Sequence, residues 1–242
     1  MEQDNEGLTI PNHLEELRSA LLRALIGLGA AVIVSLIFTR QLISFLAQPV
    51  GGLDKLQAIE VTETISVYMR VALLSGVILA SPWIFYQLFR FLAKGLKAEE
   101  RNRIIMAVPL AVLFFGAGAA FAYLVMLPSA LKFFSQFLGV LTFFRIKSYF
   151  GFVTNIIFWI GLSFELPLLM FILARVGILN ARILAKGWRV AVVIIAVLAA
   201  VITPTADPVN MVIFMLPLFA LYLLSIGLAA LAGKRRAAAE KE

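Results

Sequence analysis

The residue that sets the chemical question is Glu165, the single charge between Lys147 and Arg175 in the apolar run Ser148–Ala174. A run of that length crosses a bilayer, which takes about 20 apolar residues. Glu165 stands ten residues before Arg175, or about 15 Å at helical rise. That places a carboxyl near the middle of a hydrocarbon layer about 30 Å thick. A carboxylate there is costly unless it is protonated, paired or hydrated, so intramembrane acids mark sites. The competing reading is a protonated glutamate bonded to a neighbouring helix for packing. Pro167 removes a backbone donor and frees the Ser163 carbonyl, which predicts a kink at the acid. Thr154, Phe158, Gly161 and Glu165 share one helical face. Their size and polarity predict that this face meets protein rather than lipid.

The other informative acids are Glu16, Glu99 and Glu100, set among lysines and arginines. They either neutralise those neighbours or form a patch for a cationic partner. Paired carboxylates suit arginine, whose guanidinium fork makes two parallel charge-assisted bonds. There is no P-loop, HExxH or serine–histidine pair. The only histidine is His13 and there is no cysteine, so a histidine- or thiol-based catalytic or metal site in the membrane is excluded. The reading is of no enzyme and no cofactor.

The elements that position these acids follow from composition. The chain has 242 residues, 62% hydrophobic and 14% charged, where soluble domains carry about 25% charged residues. It is an all-α polytopic membrane protein. Its net charge of +7 fits basic cytoplasmic loops and does not ask for nucleic acid. Glu2, Asp4 and Glu6 stand where a signal peptide carries basic residues, so no cleaved signal is expected.

Asn12 and Glu15 resemble a capping box opening an amphipathic lead-in. Six spans are predicted, at about 21–39, 71–88, 104–127, 149–174, 190–206 and 209–231, as one domain. A basic tail covers 234–242. Residues 40–70 read as the longest loop, its second half a short helix capped by Thr62. Pro49, Pro82, Pro128 and Pro167 are the expected structural breaks, with the second span broken at Pro82 and the third ended or kinked at Pro128. Residues 129–147 read as an outer loop on the interface. Gly116, Gly118, Ala119 and Ala120 read as a close-packing patch. Of the 21 Lys and Arg, 15 fall on the side holding both termini. That predicts cytoplasmic termini by the positive-inside tendency.

Five motifs then make a family resemblance. His13-Leu14-Glu15-Glu16-Leu17-Arg18 resembles the N-terminal H-x-x-E-L-R of the TatC family, the large subunit of the twin-arginine protein translocase. Ser81-Pro82 with Tyr86-Gln87 resembles the family's second-span S-P-x-x-x-Y-Q. Gly95-Leu96 with Glu100-Arg101 resembles its first cytoplasmic loop. Phe115-Gly116, Phe121-Ala122-Tyr123 and Pro128 resemble its third-span pattern with one slip, and Phe164-Glu165-Leu166-Pro167 resembles its F-E-x-P.

The resemblance implies six helices in a concave, glove-like bundle in the cytoplasmic (inner) membrane of a prokaryote, within an oligomeric complex. It implies binding of twin-arginine signal peptides of folded cargo through Glu16 and Glu100, with Arg18 of the same motif. It also implies recruitment of TatA- and TatB-like single-span subunits, driven by the proton-motive force. Glu165 matches the family's intramembrane acid, and Thr203 and Asp207 match polar positions at the turn between the last two spans. Lys94 stands where the family usually has proline, and Met211 and Leu223 where it often has polar residues. A rival reading is a small proton- or cation-coupled secondary transporter using Glu165. Transporters gather polar residues from several spans at mid-depth, and here only the fourth span carries a midplane charge.

Overall fold

The computed structural model describes residues 10–94, 105–136, 144–202 and 208–239. Helix α1 runs Ile10–Leu46 and α2 runs Glu63–Lys94. Helix α3 is Val108–Phe121, continued by a π-turn, Ala122–Met126, into α4, Leu127–Gln136. Helices α5, Ile146–Ser163, and α6, Leu166–Val176, share one apolar run. The short α7, Ala181–Lys186, leads to α8, Trp188–Ile202, and α9, Pro208–Ala239. Among the described residues five helical stretches are long and apolar enough to cross a membrane, and α8 is a shorter apolar helix. Among the described residues the only strands are a parallel pair of two residues each, β1 (Leu56–Gln57) on β2 (Phe144–Arg145).

Several expected boundaries move. Helix α1 starts at Ile10, ahead of Asn12, and runs on to Leu46, so Asn12 is not its cap and residues 40–46 are not loop. The stretch from Thr62 is no separate helix, because α2 continues unbroken from Glu63 through Pro82. Pro82 takes away the donor that would serve the Ile78 carbonyl. The Ser81 hydroxyl donates to that same carbonyl at 2.8 Å, which keeps it satisfied in a medium that offers no water. Pro128 does not end its helix either. The preceding turn widens to π geometry, with the Leu127 amide reaching back to the Ala122 carbonyl, and this accommodates the ring. Residues 129–136 are therefore helix rather than loop. Pro49 lies in a 3₁₀ turn, Gln48–Val50, after α1, which fits its fixed φ and missing donor.

Helix α5 is the hub. Phe150, Val153, Ile156 and Ile160 are fully buried along one side. The cluster around them takes in Leu46 of α1, Val67 and Val71 of α2, Met126 and Leu127 near Pro128, Ile195 and Ala199 of α8, and Phe214 and Leu218 of α9. Lipid tails are as apolar as these side chains, so the gain is close dispersion contact rather than escape from water. Helix α1 is the opposite case, with Leu25, Ile26, Ile33 and Ile37 exposed in a row toward the surroundings.

Helices α1 and α2 form an antiparallel pair whose register is set by polar bonds and small residues. The Ser35 hydroxyl donates to the Ala72 carbonyl at 2.6 Å and Tyr68 to the Leu36 carbonyl at 2.6 Å. The Trp83 indole donates to the Arg23 carbonyl at 2.9 Å. A Cβ on Gly76 would lie 2.9 Å from the Val32 Cα, and one on Gly27 would strike the Trp83 ring. This is the small-residue packing expected where the hydrophobic effect does not drive association.

Candidate functional site

Glu165 occupies the break between α5 and α6. Its amide donates to the Leu162 carbonyl at 3.1 Å, and its own carbonyl accepts from the Leu169 amide at 2.9 Å. Pro167 sits in the first turn of α6, where its missing donor costs nothing. The interruption expected at the acid is therefore present, as two helices rather than one bent one. The Glu165 side chain is half-buried, and among the described residues its buried Oε1 has no hydrogen-bond partner.

The backbone behind the acid is held by two glycines. A Cβ on Gly118 of α3 would lie 2.9 Å from the Gly161 Cα and 2.8 Å from the Phe164 ring. One on Gly161 would lie 3.0 Å from the Phe115 ring. Gly118 and Gly161 thus let α3 and α5 touch two residues before α5 ends at Ser163 and the chain turns into Phe164 and Glu165. Of the expected four-residue patch, Gly118 makes this contact and Ala119 packs against the central cluster, whereas a Cβ on Gly116 would meet nothing within 4 Å. Of the face predicted to carry the acid, Thr154 and Gly161 are buried against protein. The Thr154 hydroxyl returns to the Phe150 carbonyl at 2.7 Å.

Glu16 and Arg18 lie near the start of α1, Glu16 half-buried and Arg18 exposed. Extending the Arg23–Trp83 register by about two turns brings Glu16 level with Arg90, close to the end of α2 at Lys94. The segment carrying Glu100 leaves from that end. Glu100 itself, Thr203 and Asp207 lie outside the described residues. Met211 packs against the central cluster, while Leu223 is exposed on α9.

Sequence reasoning missed an ionic latch at the opposite end of α2. Arg145 Nε donates to Glu63 Oε1, and Arg145 Nη2 lies 2.6 Å from Glu60 Oε1. Lys147 Nζ is 3.8 Å from Glu60 Oε2, and the Ile59 amide donates to Glu63 Oε2 at 3.3 Å. The hydrogen bond Arg145 donates to Glu63, then that to Glu60, hold it above its ordinary pKa. Glu63 is 0% exposed, so both its oxygens need these partners. The β1–β2 pair sets Gln57 opposite Arg145 and so aims the arginine. The available signal was two acids and two bases on loops assigned to one side of the membrane. Nearby, Tyr149 and Tyr123 donate to the Leu46 and Phe45 carbonyls at 2.7 and 2.8 Å, serving the orphan carbonyls that end α1.

The family profile described as TatC, Sec-independent protein translocase protein, matches residues 12–217. A TatC protein of Koribacter versatilis (strain Ellin345) is 34% identical over 98% of this chain and 92% of its own length. A chloroplastic TATC of Arabidopsis thaliana is 36% identical over 96% of this chain and 69% of its own length. A crystal structure described as the twin arginine translocase receptor TatC superposes with a TM-score of 0.82 at 32% identity. It covers 91% of this chain and 99% of that one.

Proposed function

The chain belongs to the TatC family of Sec-independent protein translocase proteins, and on that premise we propose that it is the receptor for twin-arginine signal peptides of folded cargo. Glu16 and Glu100 take the arginine pair, with Arg18 beside Glu16. In this reading α8 is the fifth of six spans and α9 the sixth, and the excess of Lys and Arg on the side holding both termini supports a cytoplasmic location for them in a prokaryote. The observation that carries this reading is the α1–α2 register, which brings Glu16 beside the end of α2 from which the Glu100 segment departs. Two carboxylates on separate segments suit two guanidinium groups on one extended peptide.

Recruitment of TatA- and TatB-like single-span subunits is assigned to Glu165, with Thr203 and Asp207 toward the outer turn. The buried, partnerless Oε1 of Glu165 supports it, because such an atom costs free energy until a donor reaches it. No nucleotide motif occurs in the chain, so the energy source is external, and the proton-motive force is the one proposed. The transporter reading is the weaker one. Among the described residues no group of three or more acidic or histidine side chains gathers as a cation site.

The test is crosslinking of a twin-arginine peptide to the full-length protein in native membranes. Glu16→Ala and Glu100→Ala should each weaken it, since truncating one partner of a buried charge pair costs about 2–5 kcal/mol. Glu15→Ala, Glu99→Ala and a twin-lysine peptide are the controls. Wild-type crosslinking in both Glu16→Ala and Glu100→Ala would overturn the assignment.

A further inference from the structure

Two turns inside the Glu60–Arg145 latch, α2 and α5 leave an open groove of about 300 Å³. The two helices leave the latch in the same direction, so depth along one matches depth along the other. Arg70 stands nearest the latch end. Asn155 comes about one turn deeper, and Val77 and Phe158 line the far end. The Arg70 guanidinium lies over the α5 backbone at Gly151, where a Cβ would come 3.1 Å from its Nη1. Glycine there is what lets the cation reach across.

That cation is unspent. Arg70 is exposed, and among the described residues no carboxylate lies within ion-pair distance of it. Its nearest candidates, Glu60 and Glu63, are engaged by Arg145 and Lys147. Asn155 is exposed too, and its amide makes no hydrogen bond among the described residues. Thr154 is no competitor for a ligand, its hydroxyl being held by the Phe150 carbonyl. Arg70 is seven residues past Glu63, about 10 Å into the helix. A cation at that depth needs an anion or a path to the headgroups.

We propose that this groove holds one phospholipid from the leaflet bordering the latch. Its phosphate sits on Arg70 and Asn155, and one acyl chain lies along Leu73, Val77 and Phe158. A guanidinium fork matches phosphate geometry bidentately, and the groove grades from polar to apolar in the order a lipid does.

The experiment is native mass spectrometry of the full-length protein in detergent, titrated with phosphatidylglycerol. Wild type should retain one lipid through dilution. Arg70→Gln should retain about tenfold less, the effect of losing a hydrogen bond to a charged group, and Arg70→Lys should fall between. Lys55→Gln, a nearby exposed cation, should match wild type. Thermal melting of each variant confirms that the fold is kept. Retention in Arg70→Gln equal to wild type would overturn the proposal, and so would an equal loss in Lys55→Gln. Equal retention of dioleoylglycerol, which has no phosphate, would reduce the groove to an apolar slot. Displacement of the lipid by millimolar inorganic phosphate would reassign Arg70 to a free anion. Crosslinks from Asn155 to a single-span subunit in membranes, with lipid retention unchanged by Arg70→Gln, would give the groove to a partner.

Discussion

Gly118 and Gly161 meet backbone to backbone, so that a methyl group on Gly118 would stand 2.9 Å from the Gly161 Cα. The contact lies four residues before Glu165 and holds the helix end that carries the acid. Gly118→Ala should therefore move α3 off α5, at the usual overpacking cost of about 1–3 kcal/mol. Gly116→Ala is the internal control, because a Cβ there meets nothing within 4 Å and alanine favours helix. Melting temperatures in detergent should fall for the first variant and hold or rise for the second. The same fall in both would show that helix packing is not the cause.

Glu165 separates a packing role from a docking role by what replaces it. Glutamine keeps donor and acceptor capacity at similar size, whereas alanine leaves a partner's polar group unpaired in hydrocarbon. That penalty is about 1–3 kcal/mol. Glu165→Ala should keep the fold and the binding of signal peptide, yet lose TatA or TatB crosslinks placed at Leu162, which is exposed one helical turn before the acid. Glu165→Gln should be intermediate. Unchanged crosslinks in the alanine variant, or collapse of the fold, would return the acid to packing.

The latch predicts an order of sensitivity. Glu63 is fully buried and serves both Arg145 and the Ile59 amide, while Glu60 is exposed. Glu63→Gln should lower the melting temperature more than Glu60→Gln, since surface pairs contribute little and half of a buried pair left behind is costly. The double variant Glu63→Leu with Arg145→Met should recover part of the loss, because it leaves no buried charge without its partner. Equal losses from Glu60 and Glu63 would refute this order.

Helix α8 spans 15 residues, or about 22 Å at helical rise, well short of a hydrocarbon core of about 30 Å. Either the bilayer thins beside it or residues 203–207 lie below the headgroups. Cysteines at Thr205 and Asp207 should label more slowly with a membrane-impermeant reagent than one at Asp54, on the exposed 3₁₀ turn Leu53–Lys55. Equal rates would describe an ordinary exposed turn.

The membrane class, the helical runs and the interruption at Glu165 were legible in the order of residues, because they depend on local quantities. Length of apolar run, a charge within it and a proline two residues later need no partner to have their effect. The His13–Arg18 and Phe164–Pro167 motifs belong to this same local class. Helix continuity through Pro82 was not legible. It depends on whether the freed Ile78 carbonyl finds a donor, and only the rotamer of Ser81 answers that. Which glycine of the Gly116–Gly118 pair is indispensable was likewise hidden, since both lie on one helix and only one faces Gly161. The Glu63–Arg145 pair joins residues 82 positions apart. Composition and periodicity place each of them on the same side of the membrane. Pairing them takes the packing of α2 on α5, because a charge interaction is decided by distance in space and not along the chain.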